Sequence, residues 1–143
     1  MPTLHSDKDL FWKSKDTKLE MVKEFNKAFS IDQEEKPSLT SIEKFQLKYN
    51  LLKEELDEYK QACENEDLTE VTDAIVDMMY VLYGIVTKHG LSDLIYDLFE
   101  EVHKSNMSKL ERGKPLRRTD GKILKGSEYF KPNLKKILDG RYK

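Results

Sequence analysis

Six carboxylates in two neighbouring stretches are the side chains of this sequence best placed to do chemistry. LLKEELDEYKQAC carries Glu54, Glu55 and Glu58, and EVTDAIVDMMYVLYGIV carries Glu70, Asp73 and Asp77. At about 100° per residue, Glu70, Asp73 and Asp77 fall within roughly 60° of one another, and Glu54, Glu55 and Glu58 span roughly 100°. Each stretch, once helical, has an acid stripe. The second stripe sits among Ala74, Ile75, Val76, Met78, Met79, Val81, Leu82, Ile85 and Val86, so that helix is expected to be buried on several sides. A carboxylate there must be paired, neutralised or bound to a metal ion. Between Leu51 and His103 three bases, Lys53, Lys60 and Lys88, face fourteen acids, so pairing within the region is insufficient. Oxygen donors on two helices without histidines beside them suit Mg²⁺ or Mn²⁺ rather than zinc. Gly84 lies two turns beyond Asp77 on the same stripe and leaves room for something to approach. Asp57 and Glu64 read instead as solvated surface acids.

The ordered set Glu54-Glu55-Leu56-Asp57-Glu58, then Glu70-Val71-Thr72-Asp73 with Asp77 one turn on, resembles the Glu-Glu-x-x-Glu and Glu-x-x-Asp motif of the all-α nucleoside triphosphate pyrophosphohydrolases. That group contains MazG, the dimeric dUTPases and phosphoribosyl-ATP pyrophosphohydrolase. The blocks EFNKAF, EVHKSNMSK and DGKILKG look most like phage and bacterial MazG-like proteins, and the resemblance covers about residues 20 to 138. It implies an all-α bundle of four to five helices and metal-dependent hydrolysis of nucleoside triphosphates, dNTPs included. Water attacks the α-phosphorus and releases pyrophosphate, a chemistry suited to cleansing a nucleotide pool. Carried onto this sequence, the metal ligands are Glu55, Glu58, Asp73 and Asp77, with Glu54 and Glu70 as further ligands or their supports. Glu54 or Glu55 is the general base. Asn26, Asn106, Lys109, Lys122, Lys125 and Tyr129 are the candidate substrate contacts. For Asn26 a satisfied helix asparagine is the alternative; for Lys109, with Lys104, it is a cation complementing a helix end.

The elements that must position these groups follow from periodicity. A chain of 143 residues suits one domain, with a core over about 17–110 and a basic segment over 111–143. Leu19, Met21, Val22, Phe25, Ala28 and Phe29 mark a first helix over about Thr17–Phe29. Thr40 and Glu43 form a capping box for a second that runs to about Glu64. Asp67 and Glu70 open a third, which Gly90 stops. Ser92 caps a fourth that buries Leu94, Ile95, Leu98, Phe99 and Val102. Asp120-Gly121 suits a hairpin turn, and Pro132 starts a last helix through Leu134, Ile137 and Leu138. Leu10, Phe11 and Trp12 are expected to pack on the body or on a partner chain.

Charge is segregated along the chain. Residues 1–50 hold nine bases and nine acids, residues 51–103 three and fourteen, and residues 104–143 thirteen and four. The basic segment is spread through turns rather than along one helix face and carries no recognition motif, so nucleic acid is not expected as a partner. One cysteine, Cys63, excludes an intramolecular disulfide and suits a reducing compartment. Without a signal-peptide core or an apolar run of membrane-spanning length, the expected place is the cytoplasm, where the sequon Asn106-Met107-Ser108 has no force. Apolar residues on several helix faces predict a homodimer or homotetramer. A single Glu-x-x-His, Glu100 with His103, is half of what a ferritin-like di-iron site needs. Two other readings compete: a phosphoribosyl-ATP hydrolase, which shares the chemistry, and a non-catalytic helical interaction module, whose function would survive loss of the acids.

Overall fold

The computed structural model describes residues 16–140. The order is α1 (Thr17–Ala28), α2 (Ile42–Glu64), α3 (Leu68–Lys88), α4 (Ile95–Met107), β1 (Leu116–Arg117), β2 (Ile123–Leu124) and α5 (Leu134–Gly140). The architecture is all-α apart from one two-residue antiparallel pairing, Leu116 opposite Leu124 and Arg117 opposite Ile123. Two compact units divide between Asp93 and Leu94. Leu10, Phe11 and Trp12 lie outside the described residues. Among the described residues no helix is long and apolar enough to cross a membrane.

The first unit is a helical hairpin, α2 against α3, with α1 packed on α3. Asp16 caps α1, its Oδ1 accepting from the N–H of Lys18 (3.0 Å) and Leu19 (3.3 Å). Its Oδ2 takes the hydroxyl of Tyr83 at 2.8 Å, fastening the start of α1 to α3. Burial, then Asp16, pushes the Tyr83 phenol up to about 12.

Helix ends close by one repeated device. In α1, α2 and α3 the third residue past the helix bonds back to a carbonyl five residues earlier: Ile31 N–H to Asn26, Asp67 N–H to Ala62, and Leu91 N–H to Val86. This closure needs a left-handed residue in between, supplied by Ser30 (φ 55°), Glu66 (φ 53°) and Gly90 (φ 67°). The segment between α1 and α2 then satisfies the carbonyls that α3 leaves open at its end. Glu34 N–H reaches Thr87 O at 3.1 Å, and Ser38 N–H reaches His89 O at 2.9 Å.

Three expectations are corrected. Ser41, not Thr40, caps α2, its Oγ accepting from Lys44 N–H. Ser92 does not cap α4, which begins at Ile95 without a side-chain cap. Closing α3 uses the chain through Leu91, so Ser92 and Asp93 turn and Leu94 is buried before α4 starts. Phe99, expected inside, is 73% exposed.

The core of the first unit is small, formed by Leu19, Val22, Ala62, Ala74 and Val86. Ile75, Val76, Met79 and Leu82 on α3 are exposed, as are Ile42, Phe45, Tyr49 and Leu56 on α2. Among the described residues, the expected burial of α3 on several sides is therefore not achieved. Alternation of apolar residues tells which face wants cover, and a hairpin with one further helix covers only part of it.

In the second unit the basic segment folds back on the end of α4. Ser105 Oγ donates to Phe130 O (2.8 Å), Ser108 Oγ accepts from Phe130 N–H (3.1 Å), and Glu111 takes Ser127 N–H and Oγ–H (2.5 and 3.0 Å). Gly121 at φ 90° makes the turn at Asp120-Gly121, and Asn133 Oδ1 accepts from Lys136 N–H at the start of α5.

Gly90 carries the sharpest local demand, because a Cβ there would stand 1.9 Å from Lys36 O as well as at positive φ. Left-handed strain alone costs about 1–3 kcal/mol, and the collision adds to it. Gly90→Ala is expected to lower unfolding free energy by more than about 2 kcal/mol, read by urea denaturation. An unchanged midpoint would show that the α3 closure is not under this constraint.

Candidate active site

The site is built from the faces that α2 and α3 turn to each other. Ala62 and Ala74 are buried there, and side chains this small let two helices approach closely. The connection of Asn65, Glu66 and Asp67 returns the chain at once, with Asp67 capping α3 through Glu70 N–H at 3.1 Å. The acid stripes thereby come to face each other.

Glu55 is the centre of this group. Its Oε2 is buried and has no hydrogen-bond partner among the described residues. Burial, first, and then a hydrogen bond and charge from Glu58 and the charges of Asp77 and Asp73, push its carboxyl up to about 7. Asp77 is raised as well, by burial and by the charges of Asp73 and Glu58. Four of the residues singled out in the sequence, Glu55, Glu58, Asp73 and Asp77, thus act on one another across the hairpin. Burial is shallower than their apolar neighbours imply: Glu55 and Asp77 are half-buried, whereas Glu58 and Asp73 are exposed. Among the described residues no three acid, histidine or cysteine side chains are drawn into a finished metal cage, so what unites the four is their mutual repulsion. An orphaned buried oxygen amid like charges is the environment that an oxygen-seeking cation relieves.

Glu54 and Glu70 lie exposed on the same helices. Asp57 and Glu64 are the surface acids expected, paired with Lys53 at 3.2 Å and Lys60 at 3.9 Å. Asn26 is turned inward and only 3% exposed, its Nδ2 donating to Thr87 Oγ1 (3.0 Å) and Gln33 Oε1 (3.2 Å). These are the contacts of a satisfied helix asparagine that ties α1 to α3 and to the linker.

Gly84 is approached by a side chain of the chain itself. Lys48 Nζ stands 3.1 Å from where a Gly84 Cβ would be. Nearby, Asp32 gathers two more lysines: Lys44 Nζ is 2.5 Å from Oδ2, and Lys88 Nζ is 3.2 Å from Oδ1 and 2.8 Å from the Asp32 carbonyl. Together these lysines hold the Asp32 carboxyl down at about 2. The sequence reading missed this cluster, although the spacing of Lys44, Lys48 and Glu55 along one face of α2 was there to find it.

In the second unit, Asn106 is exposed near the end of α4, and its carbonyl accepts from Lys109 N–H. Lys109 is half-buried, its carbonyl accepting from Gly126 N–H at 2.9 Å. Lys125 Nζ lies 4.7 Å from the centre of the Tyr129 ring, a cation–π contact. Lys122 is exposed at the hairpin, its N–H held by Asp120 Oδ1 at 3.1 Å. The cleft of this unit, between Leu94, Asp97, Glu101, Asn133, Lys136 and Ile137, contains none of these residues.

Compared with known proteins, residues 22–106, more than half of the chain, match the family model described as phosphoribosyl-ATP pyrophosphohydrolase. That span contains all six acids. No curated protein matches the chain.

The raised Glu55 carboxyl makes a signed prediction for the metal-free protein. A carboxyl at 4.5 when unfolded and about 7 when folded stabilises the fold relative to its ionised form only while it stays protonated. Stability therefore falls as pH rises from about 4.5 to about 7 and levels off above. In excess chelator, Glu55→Gln is expected to flatten this slope relative to wild type in thermal melts across that window. Identical slopes in the two proteins would mean that Glu55 ionises normally.

Proposed function

The chain belongs to the phosphoribosyl-ATP pyrophosphohydrolase family, and we propose that it hydrolyses nucleoside triphosphates, dNTPs included, to the monophosphate and pyrophosphate. The family gives the coarse activity, hydrolysis of a phosphoanhydride bond in a nucleotide. The observation that carries the reaction is the row of acids that act on one another across the α2–α3 hairpin, centred on the orphaned Glu55 Oε2; the choice of nucleoside triphosphate rests on the resemblance of EFNKAF, EVHKSNMSK and DGKILKG to MazG-like blocks.

Glu55, Glu58, Asp73 and Asp77 are the residues that would hold Mg²⁺, or Mn²⁺ in its place. When bound, the cation would supply charge neutralisation for the phosphate oxygens and a lowered pKa for water at the site. Glu54, exposed beside the cluster and outside its strongest repulsion, orients the attacking water and receives its proton. The water oxygen bonds to the α-phosphorus, and the bond from that phosphorus to the bridging oxygen breaks. The bridging oxygen leaves with pyrophosphate. Glu70 supports the cluster from the first turn of α3. Lys122, Lys125, Tyr129, Asn106 and Lys109 are carried from the matching sequence blocks as proposed contacts to phosphate or sugar.

A second reading rests on the description of the matching family: phosphoribosyl-ATP itself as substrate, cleaved at the same kind of bond. A panel of NTPs, dNTPs and phosphoribosyl-ATP, assayed with Mg²⁺ for pyrophosphate and monophosphate, separates the two. Pyrophosphate is the expected product, lost in excess chelator. Glu54→Gln should lower kcat about a hundredfold or more, in the range of a lost general base, with metal affinity retained. Orthophosphate as first product, or full activity in chelator, would overturn the reading.

The partner we propose is a second copy of the chain. Exposed Ile42, Phe45, Val76, Met79 and Leu82 on the acid-bearing helices form more apolar surface than single scattered residues explain. Sedimentation at micromolar concentration is expected to show a homodimer or homotetramer, and a monomer would remove this assignment.

A further inference from the structure

The α2–α3 hairpin is polarised along its length. At one end stand the acids, and at the other the lysines gathered on Asp32. The two ends share a register: Lys48 lies seven residues before Glu55 on α2, and Gly84 seven residues after Asp77 on α3. Seven residues are two helical turns, so Lys48 and Glu55 project from one face of α2 at levels about 10 Å apart. Gly84 faces Lys48 as Asp77 faces Glu55.

Lys48 differs from its two neighbours. Lys44 and Lys88 occupy both carboxylate oxygens of Asp32, and the Lys88 side chain is only 8% exposed. Among the described residues, Lys48 has no carboxylate within ion-pair distance. Its ammonium is driven below the usual lysine range, first by burial and then by the Lys88 charge, with Asp32 only partly opposing. A half-buried cation beside a second cation is costly to leave uncompensated. An anion extending from the acid end along the helix face that Glu55 and Lys48 share would relieve it. A triphosphate bound through cations at the acids has such an anion to offer in its two distal phosphates.

We propose that Lys48, in the space left open by Gly84, is the positioning residue for the departing pyrophosphate, binding the distal phosphates while the α-phosphorus is held at the acid cluster. This rests on the pyrophosphohydrolase reading and adds a direction to it: the phosphate chain runs from Glu55 toward Lys48. Lys44, Lys88 and Asp32 are the frame that keeps Lys48 from collapsing onto a carboxylate of its own.

The probe is inorganic pyrophosphate with Mn²⁺, whose binding is measured by calorimetry without reference to turnover. Lys48→Met removes the charge and keeps most of the stem; it is expected to weaken pyrophosphate binding about tenfold or more, the loss of a charge-assisted contact. Binding of the nucleoside monophosphate and of Mn²⁺ alone should hold, and Lys48→Arg should keep pyrophosphate affinity within about threefold, since the charge is retained. Equal pyrophosphate binding by wild type and Lys48→Met, or equal loss of pyrophosphate and monophosphate binding, overturns the assignment even where turnover is normal. No pyrophosphate binding by wild type does so too. Selective loss of pyrophosphate binding in Lys48→Met upholds it even where no nucleotide is turned over, so the two readings fail separately.

Discussion

Like charges pressed together across a helical hairpin are the constraint on which the rest of this structure depends. Two helices with acid stripes would ordinarily drift apart. Here the drift is prevented by a three-residue connection, closed by the Asp67 N–H to Ala62 carbonyl bond at 3.0 Å, and by the buried alanines Ala62 and Ala74 at the contact. The free energy that holds the hairpin shut is hydrophobic and backbone in origin, and the acids act against it. Without metal, burial and this repulsion push the Glu55 carboxyl up to about 7, so that it holds its proton well above the usual carboxylate range. Such a group stays sensitive to any cation that arrives, because it can exchange its proton for one.

At the other end of the hairpin the problem is inverted and solved differently. Lys44 and Lys48 stand in the first two turns of α2, where the helix dipole is unfavourable to cations. Lys88, at the end of α3, has the dipole in its favour but is buried. A single acid from the linker, Asp32, serves both Lys44 and Lys88, and the same linker closes the end of α3 through Glu34 and Ser38. Order in the linker, satisfaction of the helix end and placement of the lysines are thus one arrangement. Asn26, bonded to Thr87 and Gln33, belongs to it as well, which explains why an amide sits on the inner side of an otherwise apolar helix.

Helix boundaries were legible in the sequence because they are set by local chemistry. Asp67 as a cap and Gly90 as a stop act within a few residues of themselves, and the end of α2 at Glu64 stands where its periodicity stopped. Capping by Thr40 or Ser41 could not be separated, since both hydroxyls precede the same apolar run. The facing of the acid stripes was legible too, from two periodicities joined by a short link. Burial was not. Phe99 and the α3 residues Ile75 to Leu82 lie on apolar stripes, and a stripe does not say whether its cover comes from the same chain. Contacts between residues far apart in sequence were equally hidden: Asn26 with Thr87, Tyr83 with Asp16, Ser105 with Phe130. Nothing in a block such as EFNKAF distinguishes an amide that meets a ligand from one that meets a threonine sixty-one residues away.

Chemistry and base selection are separable in this fold. The polar groups that the α2–α3 hairpin brings together, Glu55, Glu58, Asp73 and Asp77 at one level and Lys48 beside Gly84 at another, are carboxylates and an ammonium, and such groups read phosphate and metal charge rather than the edge of a base. Phosphoribosyl-ATP and ordinary nucleoside triphosphates present the same triphosphate to them. A match over residues 22–106, which spans this hairpin and ends before the basic segment begins, therefore argues for the bond that is broken more strongly than for the base attached to it. Discrimination has to come from polar and ring-bearing groups elsewhere. Asn26 has both amide hydrogens engaged internally. The segment after residue 106, with Lys122, Lys125 and Tyr129, lies outside the matched span, so the match sets no constraint on what that segment contacts.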